Sequence, residues 1–203
     1  AALGVIVSVD TTLPEVAARA LDDGAALVNS TSLDAAAELG ALAARRGASL
    51  ALMHSRGAMT DMKGFSQYAD DAYGDVVADV AREWQEAARR ALAAGLPEED
   101  LILDPGLGFA KNARHSLELC GRLDELCALG FPVLVGPSRK SFLARAAGTP
   151  QAPPGDRLGG TIAASIACVE KGAAIVRVHD IAPVRQAIRV AAAIRGAGRR
   201  GAS

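Results

Sequence analysis

Leu101-Ile102-Leu103-Asp104-Pro105-Gly106-Leu107-Gly108-Phe109 decides how the chain is read. Three apolar residues form a short run that Asp, Pro and Gly then end, the pattern of a buried strand stopping at a turn. The same pattern recurs on either side. Val5–Val9 closes on Asp10, Ala26–Val28 on Asn29 and Ser49–Met53 on His54. Phe131–Val135 leads to Ser138-Arg139-Lys140, and Ala174–Val178 carries Arg177 and leads to His179. Helical patterns separate these runs. One starts at Pro14, which suits a first turn, and ends at about Asp23 before Gly24. An alanine-rich one ends near Gly47. A third spans about Asp75 to Ala94, and a fourth is capped by Asn112 with Leu117, Cys120, Leu123 and Cys127 turned inward. The rest begin near Ser138, run from about Gly160 to Lys171, and begin near Pro183. The polar stretch from Ser55 to about Tyr73 reads as a functional loop.

Six strand–helix units without a hairpin predict a parallel sheet buried on both faces. An open doubly wound sheet needs polar chemistry only at its switch point. A closed barrel turns every strand end toward one site. Here every strand ends in polar or reactive residues, which favours a (β/α)8 TIM-barrel type. Such a barrel takes eight strands and about 250 residues. Only about six units are present, so two N-terminal units are expected to be missing. The chain is then a fragment, a chain completed by a partner, or a shortened domain. The barrel domain is expected over residues 1–195, followed by a flexible basic tail, 196–203.

Composition narrows the class. The 203 residues carry 22 Lys+Arg against 23 Asp+Glu, and half are hydrophobic, which describes a core-forming chain. A net charge of −1 gives no reason to expect nucleic acid or an anionic membrane as partner. No apolar run is long enough to span a bilayer, and no leader pattern is seen. Cys120, Cys127 and Cys168 show no C-x-x-C spacing and read as inert core thiols, which suits a cytoplasmic location. His115 reads as a surface residue on a helix.

Four segments carry a resemblance. Ser8-Val9-Asp10-Thr11, Leu103-Asp104-Pro105-Gly106 with Gly108-Phe109, Gly136-Pro137-Ser138-Arg139-Lys140-Ser141, and Arg177-Val178-His179-Asp180 together resemble the dihydropteroate synthase family. The likeness runs from about Val5 to Ile194. It implies a (β/α)8 barrel that condenses 6-hydroxymethyl-7,8-dihydropterin pyrophosphate with para-aminobenzoate, giving 7,8-dihydropteroate and pyrophosphate. It places Asp10, Asn29 and Asp104 against the pterin, with Met53 lining that pocket. Lys140 contacts the pterin, Phe109 packs on the aminobenzoate ring, and Ser141 meets its carboxylate at a helix N-terminus. Gly136 and Ser138 line the site. Arg177 and His179, two residues apart and so on one side of a strand, clamp the pyrophosphate. Arg139 is grouped with the substrate-binding residues, with bracing of loops as its other reading. Asp10, Asp104 and Lys140 are the expected catalytic set, and His54 has no assigned role.

The resemblance also implies Mg2+ and a homodimer built on the last helices, where Val184, Ile188, Ala191 and Ile194 fall on one face. The chain departs from the family pattern in three places. The early segment with the Mg2+-binding Asn, and an S-T-R-P-G loop, are not in this sequence, so no metal ligand is expected. Asn29-Ser30 stands where the family has Asn-Asp. Ser55-Arg56-Gly57-Ala58-Met59-Thr60 keeps Arg56-Gly57 but lacks a following proline. Two alternatives stand beside synthase activity. One is a truncated or non-catalytic pterin-binding domain. The other is a related methyltetrahydrofolate-binding methyltransferase, which needs no pyrophosphate clamp.

Overall fold

The computed structural model describes residues 4–57 and 68–199. In chain order the elements are β1 (Ser8–Asp10), α1 (Pro14–Asp22), β2 (Leu27–Ser30), α2 (Ala36–Arg46), β3 (Ser49–Met53), α3 (Val76–Ala93) and β4 (Leu101–Asp104). They continue with α4 (Ala113–Gly121), α5 (Leu123–Cys127), β5 (Leu134–Val135), α6 (Ser141–Ala146), α7 (Leu158–Glu170), β6 (Ile175–Val176) and α8 (Ile181–Arg199). Strands β1 to β4 pair in parallel in sequence order. A single parallel bridge, Leu103 to Val133, carries the array on to β5, which pairs with β6. An order without reversal has no switch point, so the array is the partial barrel that the polar strand ends predict.

Register explains the two cores. Residues paired across parallel strands share a face. Ala51 and Ile102 are partners, and with Leu134 they form a small inner cluster against which Leu27 packs. Leu50, Leu52, Leu101 and Leu103 alternate with them and face the helices, where the main core lies. Trp84 of α3 is its largest fully buried side chain. Its Nε1–H donates to Leu52 O at 2.9 Å, and its ring meets Phe131 edge-on at 4.9 Å. Asp10, Asn29, Met53 and Asp104 continue the inner register toward the C-terminal strand ends.

Several expectations need correction. The first strand begins at Ser8, not Val5, because β1 has a partner only on its β2 side among the described residues; Ile6 is 82% exposed. β5 and β6 have two residues each, shorter than the apolar runs that contain them. The helix after β5 begins at Ser141 rather than Ser138, since Arg139 has φ +60° and breaks any helical run there. The helix capped by Asn112 breaks at Arg122 into α4 and α5, which leaves Leu117 exposed and Cys127 half-buried. His115 is fully buried. It is the N3 residue of the α4 capping box, where its backbone N–H donates to Asn112 Oδ1 and its Nδ1 accepts from Asn112 N–H. Helix α8 extends through Gly196 to Arg199, past the expected start of the tail. Residues 200–203, and most of the loop expected between Ser55 and Tyr73, lie outside the described residues.

The array does not close among the described residues. Between β1 and β6 lies a cleft of about 870 Å³, lined by Ile6, Ser8, Val176, Val178, Val184 and Ile188. Asp10 and Arg177 reach across its rim, with Nη2 2.8 Å from Oδ2.

Candidate active site

Each strand end contributes one side chain to the mouth of the barrel. Asn29 ends the inner register of β2 and is buried, and among the described residues its Oδ1 accepts no hydrogen bond. A buried acceptor without a donor is costly, so this oxygen is set up for a ligand N–H. Asp104 ends β4, two strands along from Asn29 and paired with Met53 of β3, and is also buried. Its Oδ1 accepts from Gly106 N–H at 2.8 Å. Burial raises its pKa, while the charges of Lys140, Lys111 and Arg177 and the Gly106 bond pull it back.

Sequence makes the turn after Asp104 possible. Gly106 has φ +68°, and a Cβ there would lie 2.0 Å from His54 O, so only glycine lets the turn close on β3. Met53 is buried at the same contact. The turn delivers Phe109 to Lys140, whose Nζ lies 4.2 Å from the ring centroid. Lys140 Nζ also donates to Leu107 O. Burial lowers the Lys140 pKa to about 8, opposed by the Asp104 charge.

The other half is built after β5 and β6. Gly136, Ser138, Lys140, Arg177, Val178 and His179 line a cavity of about 180 Å³. Ser138 Oγ lies 2.8 Å from His179 Nδ1 and accepts from His179 N–H at 3.1 Å. A serine hydroxyl that donates to Nδ1 would leave Nε2 to carry the ring proton. Arg177 and His179 follow β6 instead of lying in it, yet both reach this cavity. Arg139 does not. Its guanidinium is bidentate on Asp180 at 2.9 and 2.7 Å, and its backbone binds Thr161 and Arg157, so in this structure it braces the loop. Ser141 is the first residue of α6.

Two features escape a reading of the sequence. His54 is fully buried, with Nε2 2.9 Å from Glu83 Oε2. Lys111 is also fully buried and binds His54 Nδ1 at 2.9 Å. A lysine in a glycine-rich turn carries no pattern that predicts burial. Among the described residues, no group of three or more His, Cys, Asp or Glu is placed to hold a metal ion. Asp10 is engaged by Arg177 and Asp104 by Gly106.

A parallel partial barrel whose strand ends gather buried polar side chains beside Arg177 and His179 is of the (β/α)8 enzyme class. The chain belongs to the family of pterin binding enzymes, whose model matches residues 1–179. The dihydropteroate synthase of Synechocystis sp. is 40% identical over 95% of this chain, which spans 64% of that protein. The crystal structure of dihydropteroate synthase from Thermus thermophilus in complex with 6HMPPP superposes with a TM-score of 0.86 at 43% identity, covering 96% of this chain and 74% of that one. A protein of Mycobacterium leprae named inactive dihydropteroate synthase 2 is also similar, at 35% identity over 94% of this chain and 65% of its own length. The chain thus spans about two thirds of the length of these relatives.

Proposed function

We propose that the chain carries the pterin and pyrophosphate pockets of a dihydropteroate synthase, which joins 6-hydroxymethyl-7,8-dihydropterin pyrophosphate to para-aminobenzoate. The observation that carries the reading is the convergence of the unpaired Asn29 Oδ1, buried Asp104 and Lys140 beside the Arg177–His179 cavity. A pterin edge presents adjacent N–H and amino donors, and Asn29 and Asp104 supply acceptors for them. Arg177 and His179 Nε2–H hold the pyrophosphate and ease its departure. As the C–O bond breaks, positive charge spreads toward the pterin, and the Asp10 carboxylate stabilises it. Phe109 offers a face to the aminobenzoate ring.

We further propose a cytoplasmic homodimer. Val184 of the expected face is buried in the fold, and Ile188 and Ala191 are half-buried. Ile194 of that face is exposed, and with Val190, also exposed, it lines a groove shared with α7; exposed Ile181 lies at the β1–β6 cleft.

Calorimetric titration with a non-reactive dihydropterin pyrophosphate analogue tests the reading. Binding by the chain, lost in Asp104→Asn and Arg177→Ala, supports it. A folded chain that does not bind overturns it. The second reading, a pterin-binding domain without turnover, is favoured by the similarity to a relative named inactive. Binding of the analogue without product formation from the natural substrates would select it. The methyltransferase alternative is disfavoured by the anion cradle after β5 and β6.

A further inference from the structure

A network behind the site ties the turn from Gly106 to Lys111 to β3 and α3. Lys111 Nζ lies 2.9 Å from His54 Nδ1, 3.3 Å from His54 O and 3.0 Å from Phe109 O. An ammonium has three donors and no acceptor, so these three acceptors satisfy it fully. That arrangement fixes the His54 tautomer: Nδ1 accepts, and Nε2–H donates to Glu83. Glu83 also accepts from Arg56, whose guanidinium lies 3.9 Å from the Tyr73 centroid. Tyr73 O–H donates to Ala110 O at 2.9 Å. The circuit leaves the turn at Lys111 and returns to it at Ala110.

A buried ammonium persists only where its bonds and neighbouring charges repay its desolvation. Burial lowers the Lys111 pKa to about 7, and the Asp104 charge opposes this most strongly. Lys140 and Arg56 act with burial and Glu83 against it. Asp104 in turn faces Lys140 from the β5 side, Lys111 from its own turn and Arg177 from the β6 side.

We propose that Lys111 is a positioning residue: its ammonium locks the Gly106–Lys111 turn against β3, which sets Phe109 and the Leu107 carbonyl that holds Lys140, and it gives the Asp104 carboxylate a buried counter-charge. What Asp104 and Phe109 then touch rests on the pterin reading; the lock itself does not.

The test uses the isotope-labelled 203-residue chain in solution. Nitrogen shifts of the His54 ring are expected to show protonated Nε2 and bare Nδ1 at neutral pH. A proton on Nδ1 would overturn the proposal, and this arm needs no variant. The Asp104 carboxyl carbon is then titrated in wild type, Lys111→Met, Lys111→Gln and Lys111→Arg. Its midpoint is expected to rise by about one pH unit in the two uncharged variants and to return toward wild type in Lys111→Arg. An unchanged midpoint in either uncharged variant that folds would overturn the proposal, because a merely space-filling lysine leaves Asp104 unaffected. Lys111→Met is further expected to weaken binding of the pterin analogue about tenfold, most at low pH. Failure of wild type to bind the analogue would count against the pterin reading alone and leave the His54 and Asp104 results standing.

Discussion

The β3–β4 side and the β1–β6 side of the mouth are built differently. On the first, strands of five and four residues lie in full register, His54 N–H bonds Asp104 O at 2.8 Å, and the turn beyond is locked by buried side chains. On the second, three- and two-residue strands border a cleft, and the Asp10–Arg177 pair that spans it is about half exposed. The first is rigid before any ligand arrives; the second is held by an ion pair in water, worth little to stability. On the proposed reading, recognition of a flat heterocycle would fall to the rigid side, and handling of a charged, departing group to the adjustable one.

The largest effect that sharpens this contrast is Trp84→Ala. Removing the ring and its bond to Leu52 is expected to destabilise the chain by about 3–5 kcal/mol, read from denaturant unfolding. A loss below about 1 kcal/mol would mean that the rigid side does not rest on that core.

Asp104→Asn comes next. It is expected to weaken binding of the pterin analogue by about 1.5–3 kcal/mol, the range of a hydrogen bond to a charged group, while the fold loses no stability. The sign of the pH effect follows from the raised pKa of Asp104. The folded state holds this proton more tightly than the unfolded one, so ionisation of Asp104 costs stability as pH rises past the ordinary carboxylate range. Asp104→Asn removes that cost, so its stability relative to wild type should grow with pH and then level off. Unfolding measured across pH checks this.

Arg177→Ala has the most selective effect. Binding of pyrophosphate-bearing analogues should weaken by about 1.5–3 kcal/mol, a pterin without pyrophosphate should bind as before, and stability should change by less than about 1 kcal/mol. Equal weakening of both ligands would merge the two halves that the structure separates. The smallest expected change is Arg139→Lys, which should lower stability only slightly through loss of the bidentate Asp180 pair. Ligand affinity should hold, because Arg139 is turned to Asp180 and not to the cavity.

The barrel was legible because parallel strands announce themselves as apolar runs ending in polar residues, and the six runs here do so in order. Asn112 as a cap, Gly24 as a left-handed stop and the end of a helix near Gly47 were legible for the same local reason. Burial of polar side chains was not. His115 sits among charged and polar neighbours in sequence, and only the tertiary structure turns its ring back onto its own cap and against Tyr73 at 5.0 Å. Lys111 and Glu83 meet through His54, on three separate segments, and no local pattern encodes such a meeting. The shortness of β5 and β6 was hidden because an apolar run shows what is buried, while ladder pairing depends on neighbours the run does not name. Arg139 was ambiguous because a guanidinium suits a phosphate and a carboxylate equally well, and Asp180 decides between them here.

Arg177 already holds an anion, the chain's own Asp10. On the proposed reading, an incoming phosphate group would trade places with a carboxylate and gain only the difference between two ionic partners. The trade would have a second side. The displaced carboxylate, its charge newly uncompensated, would be left to steady the cation, so loading the leaving group would arm it. When the phosphates departed, the pair would re-form and disarm it.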